Sequence, residues 1–283
     1  MVKSILIPLD ESAYTDAAIQ IGCLMAKYHN AQLTGLVILD IPGIEKSVGP
    51  VPMGASYYAE RLEEKHRKIA QERIDKLLSK FKKKCTEAGV KHKEAQNQGS
   101  PSEAIIHESI YYDMIIAGLR THYHFDIEKK EEGESLEKFL AESITPIYGV
   151  PKELNIPGLT DGQINALIPF NASLPSARAL QRFAQFMIPE LTQPRLLISS
   201  VDENVAEAAL EHAKKYLELH GFKNILTDYT DQDIKKACKE SYLDWADVVI
   251  VGAHSKRGIF DFMVGSLTSY LIKLDKIPVL IGQ

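Results

Sequence analysis

Ser4–Ser12 reads SILIPLDES, and Asn165–Ser173 reads NALIPFNAS. Each is an apolar run, then a proline, then a polar turn that ends in serine. An alanine-rich amphipathic stretch follows each one (Asp16, Ala17, Ala18, Ile19; Ala177, Arg178, Ala179, Leu180). The same strand–loop–helix unit therefore occurs twice. Asp113–Gly118 (DMIIAG) and Asp247–Gly252 (DVVIVG) form a second pair in the same order. Short β-branched runs bounded by turn residues suit strands buried on both faces. A third pair closes the halves: Pro146, Ile147, Tyr148, Gly149 and Pro278, Val279, Leu280, Ile281. Three ordered matches imply internal duplication.

Pro151–Gly162 (PKELNIPGLTDG) has two prolines and two glycines between periodic segments and reads as the linker. The expected domains are residues 1–152 and 163–283. In the second, Arg195–Val201 is expected as the second strand and Glu203–His220 as a helix stopped by Gly221. Asn224–Asp228 is expected as a strand, Gln232–Asp244 as a helix and Asp247–Val251 as the next strand. Helices alternating with short buried strands predict an α/β fold, two tandem doubly wound five-stranded parallel sheets. In the first half, Pro42–Tyr58 reads as a long loop. Arg61–Ala88 reads as a long helix with a stripe through Leu62, His66, Ile69, Arg73, Leu77, Phe81 and Cys85.

The 283 residues carry 33 Lys+Arg against 38 Asp+Glu, a formal net charge of −5. An acidic balance argues against a nucleic-acid partner. No apolar run nears the roughly 20 residues that span a bilayer, so no membrane role is expected. Met1–Asp10 reaches an acid too soon for a signal-peptide core. Cys23, Cys85 and Cys238 are far apart in sequence, odd in number and form no C-x-x-C, which argues against a disulfide framework or zinc site. The expected compartment is the cytoplasm.

Ligands of doubly wound sheets bind beyond the carboxyl ends of the strands. There, Gly252–Ser266 reads GAHSKRGIFDFMVGS. Gly252 ends a strand, and Gly265 and Ser266 open a helix whose free amides favour an anion. Lys256 and Arg257 add positive charge, so the stretch describes a phosphate cradle. No P-loop, G-x-G-x-x-G or G-x-S-x-G sequence occurs. No Ser/His/Asp set stands out, so no catalytic residue is assigned. His254 and Asp261 lie near the cradle, and any nucleotide hydrolysis would be slow. His122, His124 and Asp126 alternate in HYHFD and share one side of an extended segment. They are a metal candidate, although loop histidines are ordinarily solvated. Cys238 reads as core, with a redox sensor as the lesser alternative, and Trp245 as packing before the fourth strand.

With these residues in view, the chain resembles a tandem member of the universal stress protein family over essentially its whole length. Nucleotide-binding members carry G-x2-G-x9-G-[S/T] after the fourth strand. Gly252, Ser255, Gly265 and Ser266 keep that spacing, with Ser255 in place of the second glycine, and His254 fits the family's frequent histidine. Ile5–Ser12 is similar to the family's first strand and Pro-x-Asp-x-Ser turn.

The resemblance implies a Rossmann-like domain, of the adenine nucleotide alpha hydrolase-like type, that binds ATP or AMP, with Mg2+ possible beside ATP. By position it implies a site of Asn171, Val201, Val251, Gly252, Ser255, Gly265, Ser266 and Leu267. Asn171 replaces the family's acid and loses its charge. In the first half, Asp10 and Ser12 are kept. There, however, Gly133 and Glu134 stand where Gly265 and Ser266 do, behind Glu131 and Glu132. Three carboxylates would repel a triphosphate, so that loop is expected to be degenerate. The alternative is a ligand-free scaffold whose paired halves bind another protein. Family members often pair their last strands. Here Ile144–Val150 and Ile277–Gln283 are expected to pair within the chain as a pseudo-dimer, which allows a monomer or a homodimer.

Overall fold

A computed structural model describes residues 2–51, 54–121, 140, 142–154, 162–253 and 265–283. The chain divides into two compact units, Val2–Thr145 and Pro146–Gln283. No helix among the described residues is long and apolar enough to cross a membrane.

The first unit runs β1 (Ser4–Pro8), α1 (Tyr14–His29), β2 (Gln32–Leu39), α2 (Ile41–Val48), α3 (Ser56–Ala88), β3 (His92–Gln98), α4 (Pro101–Ser109) and β4 (Met114–Gly118). Its sheet order is β3-β2-β1-β4, with every pairing parallel. Ile5, Leu6 and Ile7 of β1 and Met114, Ile115 and Ile116 of β4 are fully buried, as continuous apolar runs require of strands covered on both faces.

The second unit runs β5 (Ile147–Val150), β6 (Ile164–Pro169), α5 (Leu174–Phe186), β7 (Thr192–Ser199), α6 (Glu203–Leu219), β8 (Leu226–Thr230) and α7 (Ile234–Ala237), which continues as a π-helical turn over Cys238–Tyr242. Then come β9 (Val248–Gly252), α8 (Ser266–Leu274) and β10 (Val279–Gly282). The sheet order is β5-β10-β9-β6-β7-β8. The strands from β6 onward pair in parallel. β5 is antiparallel to β10, with Tyr148 opposite Leu280. The two last strands thus pair within the chain, and the compact division falls before β5 because β5 bonds to β10. Tyr148 is buried there, and that burial, with the nearby Asp247 charge, raises its phenol pKa.

The order β8-β7-β6-β9 repeats β3-β2-β1-β4, and the duplication reaches single hydrogen bonds. The Asp113 carboxylate accepts from the Lys3 and Ser4 amides at 2.7 and 3.0 Å. The Asp247 carboxylate accepts from the Asn165 amide at 2.8 Å. Each acid ties the start of its unit's first parallel strand (β1, β6) to the start of its fourth (β4, β9).

Two expectations for the first half are corrected. Ile41–Val48 is helical, not loop. Asp40 caps it by accepting the Gly43 amide at 3.0 Å, and Pro42 sits in the first turn, where its missing N–H costs nothing. The proline read as a breaker is a helix starter. In α3 the buried stripe is Ala70, Ile74, Leu77, Phe81 and Cys85, whereas Leu62 is exposed. Only the carboxy-terminal half of that helix covers the sheet. Phe81 is fully buried against Gly35 of β2, where any Cβ would run into its ring. That burial contributes roughly 2–3 kcal/mol.

Helices α1 and α3 are also bridged by charge. Asp16 accepts from Lys80 at 2.8 Å and from Lys84 at 2.6 Å. Partial burial pushes the Asp16 carboxyl up, and the hydrogen bonds and charges of the two lysines outweigh it, so its pKa lies below 3.8. A lowered carboxylate contributes stability above its unfolded pKa and loses it as pH falls through the folded one. These side chains are 38–49% exposed, so solvent screens the gain. Asp16→Asn should cost less than about 1 kcal/mol at pH 7. Thermal melts of the two proteins should converge as pH drops below 3.8.

Candidate functional site

The site is built where β6 becomes α5. After Pro169 and Phe170, the Asn171 Oδ1 accepts from the Ser173 amide at 3.2 Å and from its hydroxyl at 2.6 Å. Ser173 then caps α5 by accepting the Ser176 amide. The Ser176 hydroxyl donates back to the Ser173 carbonyl at 3.0 Å. The first unit closes the same turn with Asp10. Its Oδ1 accepts from the Ser12 amide at 3.1 Å and hydroxyl at 2.6 Å, and from Thr15 Oγ1 at 2.8 Å. An amide oxygen does this work as well as a carboxylate, so Asn171 keeps the turn while losing the charge.

α5 lies so close over β9 and β10 that a Cβ on Gly252 would meet the Pro175 backbone, and one on Gly282 the Ala179 backbone. In the first unit a Cβ on Gly118 would instead meet the Tyr14 and Thr121 side chains. Glycine at these strand ends lets the helix start settle onto the sheet.

Above the carboxyl ends of β6, β7 and β9 lies a cavity of about 350 Å³. Asn171, Val251, Gly252, Gly265, Ser266 and Leu267 all line it. Helix α8 begins there. Its cap residue, Gly265, gives no side-chain hydrogen bond, whereas α5, α6 and α7 are capped by Ser173, Asp202 and Asp233. Among the described residues, then, no side chain caps the first amides of α8, which open on a cavity that Ser266 and Thr268 also line.

One expected residue stands elsewhere, and another lies outside the described residues. Val201 does not line the cavity and is 96% exposed. The Ser200 hydroxyl donates to the Asp202 carbonyl and accepts from its amide, which bends the chain at Val201 into solvent. Ser199, two residues earlier, lines the cavity in its place. Ser255 lies outside the described residues, as do His254, Lys256, Arg257 and Asp261. So do Glu131, Glu132, Gly133 and Glu134, and His122, His124 and Asp126. Among the described residues no three of His, Cys, Asp and Glu cluster as a metal site would.

Sequence reading missed Ser173, Ser176, Ser199, Asp233 and Ile234 on the cavity wall. The Ser199 hydroxyl donates to the Gln232 carbonyl at 2.6 Å, and Asp233 accepts the Lys236 amide at 3.0 Å, pinning β7 to the start of α7. The available signal was position alone, since Ser199 ends β7 and Asp233 follows β8 at the sheet's carboxyl end. Trp245 packs under the Arg195 guanidinium, 4.3 Å away. Cys238 is fully buried, and burial first, then the Asp233 charge, pushes its thiol up to about 12. It is inert packing.

Residues 1–126 match the model of the universal stress protein family. The fold matches a universal stress protein from Archaeoglobus fulgidus DSM 4304 at 17% identity. That match covers 99% of this chain and 98% of the other, with a TM-score of 0.69. It also matches a functionally unknown protein from Pseudomonas aeruginosa PAO1 at 14% identity, covering 99% and 92%, with a TM-score of 0.61. None of the curated proteins matches the chain.

Proposed function

From the match of residues 1–126 to the universal stress protein family model, we propose that the second unit of this chain binds an adenine nucleotide, ATP or AMP, as a stress-response or signalling protein. The observation that carries the reading is the start of α8, which opens on a ligand-sized cavity with no side-chain cap among the described residues. The helix dipole and the first-turn amides at Ser266, Leu267 and Thr268 favour a phosphate. Gly265 leaves room for it at the cap. Val251 and Ile234 supply apolar wall for a base, and Asn171, Ser199 and Asp233 supply acceptors for ribose hydroxyls. Mg2+ beside ATP would draw its ligands from phosphate and water first, because Asn171 offers only a neutral oxygen.

Calorimetry of the full chain with ATP, AMP and adenosine tests the reading. One equivalent of each phosphorylated ligand should bind, with adenosine about tenfold weaker or more. Absence of saturable binding by all three would overturn it and leave the protein-interaction scaffold.

A further inference from the structure

Cys23 on α1 and Cys85 in the last turn of α3 are 62 positions apart in sequence, yet their sulfurs are 3.9 Å apart. Both are free thiols. Cys85 is fully buried, and Cys23 is 9% exposed. We propose that this pair is an oxidation site, which a hydroperoxide converts to a disulfide across α1 and α3.

A disulfide needs its sulfurs about 2.05 Å apart. The gap is thus under 2 Å, a movement that two side-chain rotations and the end of a helix can share. Cys85 stands four residues before Gly89, whose positive φ of 67° ends α3. The thiols are also chemically unequal. The hydrogen bond between the two sulfurs, with the Lys84 charge, lowers the Cys23 thiol against the opposing effect of burial. The same hydrogen bond, then burial, raises Cys85. Cys23 is therefore the nucleophile and Cys85 the resolving thiol.

The Cys23 thiolate attacks one peroxide oxygen, and the O–O bond breaks. Hydroxide leaves and is protonated to water, giving a sulfenic acid. The Cys85 sulfur then attacks the Cys23 sulfur and displaces that second hydroxide, which takes the Cys85 proton. Two thiols and one hydrogen peroxide become one disulfide and two waters. Cys238, buried with its thiol pushed up to about 12, provides an internal control.

The test uses the reduced full-length chain, treated with stoichiometric hydrogen peroxide and then alkylated with N-ethylmaleimide in denaturant. The reduced protein should take three adducts and the oxidised protein one, on Cys238. A tryptic peptide pair should carry the Cys23–Cys85 bridge, and dithiothreitol should restore all three sites. The apparent melting temperature should rise by about 5–10 °C. Cys85→Ser should stop the reaction at a Cys23 sulfenic acid that dimedone traps. Three adducts after oxidation of the wild-type chain, or further oxidation of either thiol without a bridge, would overturn the proposal. Both readouts come from the wild-type protein, so they stand even if the variant folds poorly.

Discussion

Gly252→Ala should lower the urea midpoint of this protein by roughly 1 M, a loss of about 3 kcal/mol. One methyl group is a small addition, and most overpacked side chains find a rotamer that yields. Here the obstacle is main chain. The new Cβ would meet the carbonyl carbon and oxygen of Pro175, at the first turn of α5. Pro175 is itself fixed by the Ser173 cap, by the Asn171 turn and by its own ring. Relief must come from lifting the start of α5 or tilting the end of β9. Either movement also disturbs Gly282, which meets the Ala179 backbone one strand over. Pro175 and Gly252 both line the cavity, so nucleotide affinity should fall at least tenfold in the same variant. The measurement is equilibrium unfolding by circular dichroism alongside calorimetry. A midpoint within about 0.3 M of wild type would mean that α5 can ride over the strand, and the close-approach argument would fail.

The features legible in the sequence are those set by short-range chemistry. A buried parallel strand must be apolar on both faces, so SILIP and NALIP declare themselves. A turn closed by a side-chain oxygen needs an acid or amide two residues before a hydroxyl, and both copies carry it at Asp10–Ser12 and Asn171–Ser173. The helix start at Glu203 is closed by a local side-chain oxygen too, that of Asp202, whereas the start at Ser266 is marked by Gly265. Val201, which the resemblance implied at the end of the second strand, lies off the cavity because β7 stops at Ser199 and a bond pair between Ser200 and Asp202 turns the backbone away. Two residues of turn chemistry outweighed an apolar side chain. Pro42 misled in the opposite sense, since proline disrupts a helix interior but suits its first turn. The Cys23–Cys85 contact was invisible because nothing local records which residue of α3 faces which residue of α1. Long-range packing decides it, through Phe81 seated on Gly35 one turn earlier along α3.

Ser266→Glu should leave the fold intact and weaken ATP binding about 100-fold or more. Ser266 is the first residue of α8, exposed, and on the cavity wall. A carboxylate at that position suits the positive end of the helix dipole and should add a few tenths of a kcal/mol to stability. Its effect on a ligand is the reverse. Two like charges about 4 Å apart repel by roughly 4 kcal/mol at an effective dielectric of about 20, and open solvent reduces that to about 2–3 kcal/mol. Each 1.4 kcal/mol is about tenfold in affinity, so a polyphosphate loses two orders of magnitude. Adenosine carries no charge and should change less than about threefold. Added salt should restore part of the ATP affinity by screening. The variant gives the second half the charge that Glu134 carries at the matching place in the first-half sequence. It therefore tests whether that one substitution suffices to silence a copy. Ser266→Ala, which removes one donor and adds no charge, should cost only a few fold. Equal weakening of ATP and adenosine would place the phosphates away from α8. Unchanged binding of both would remove this cavity from the function altogether.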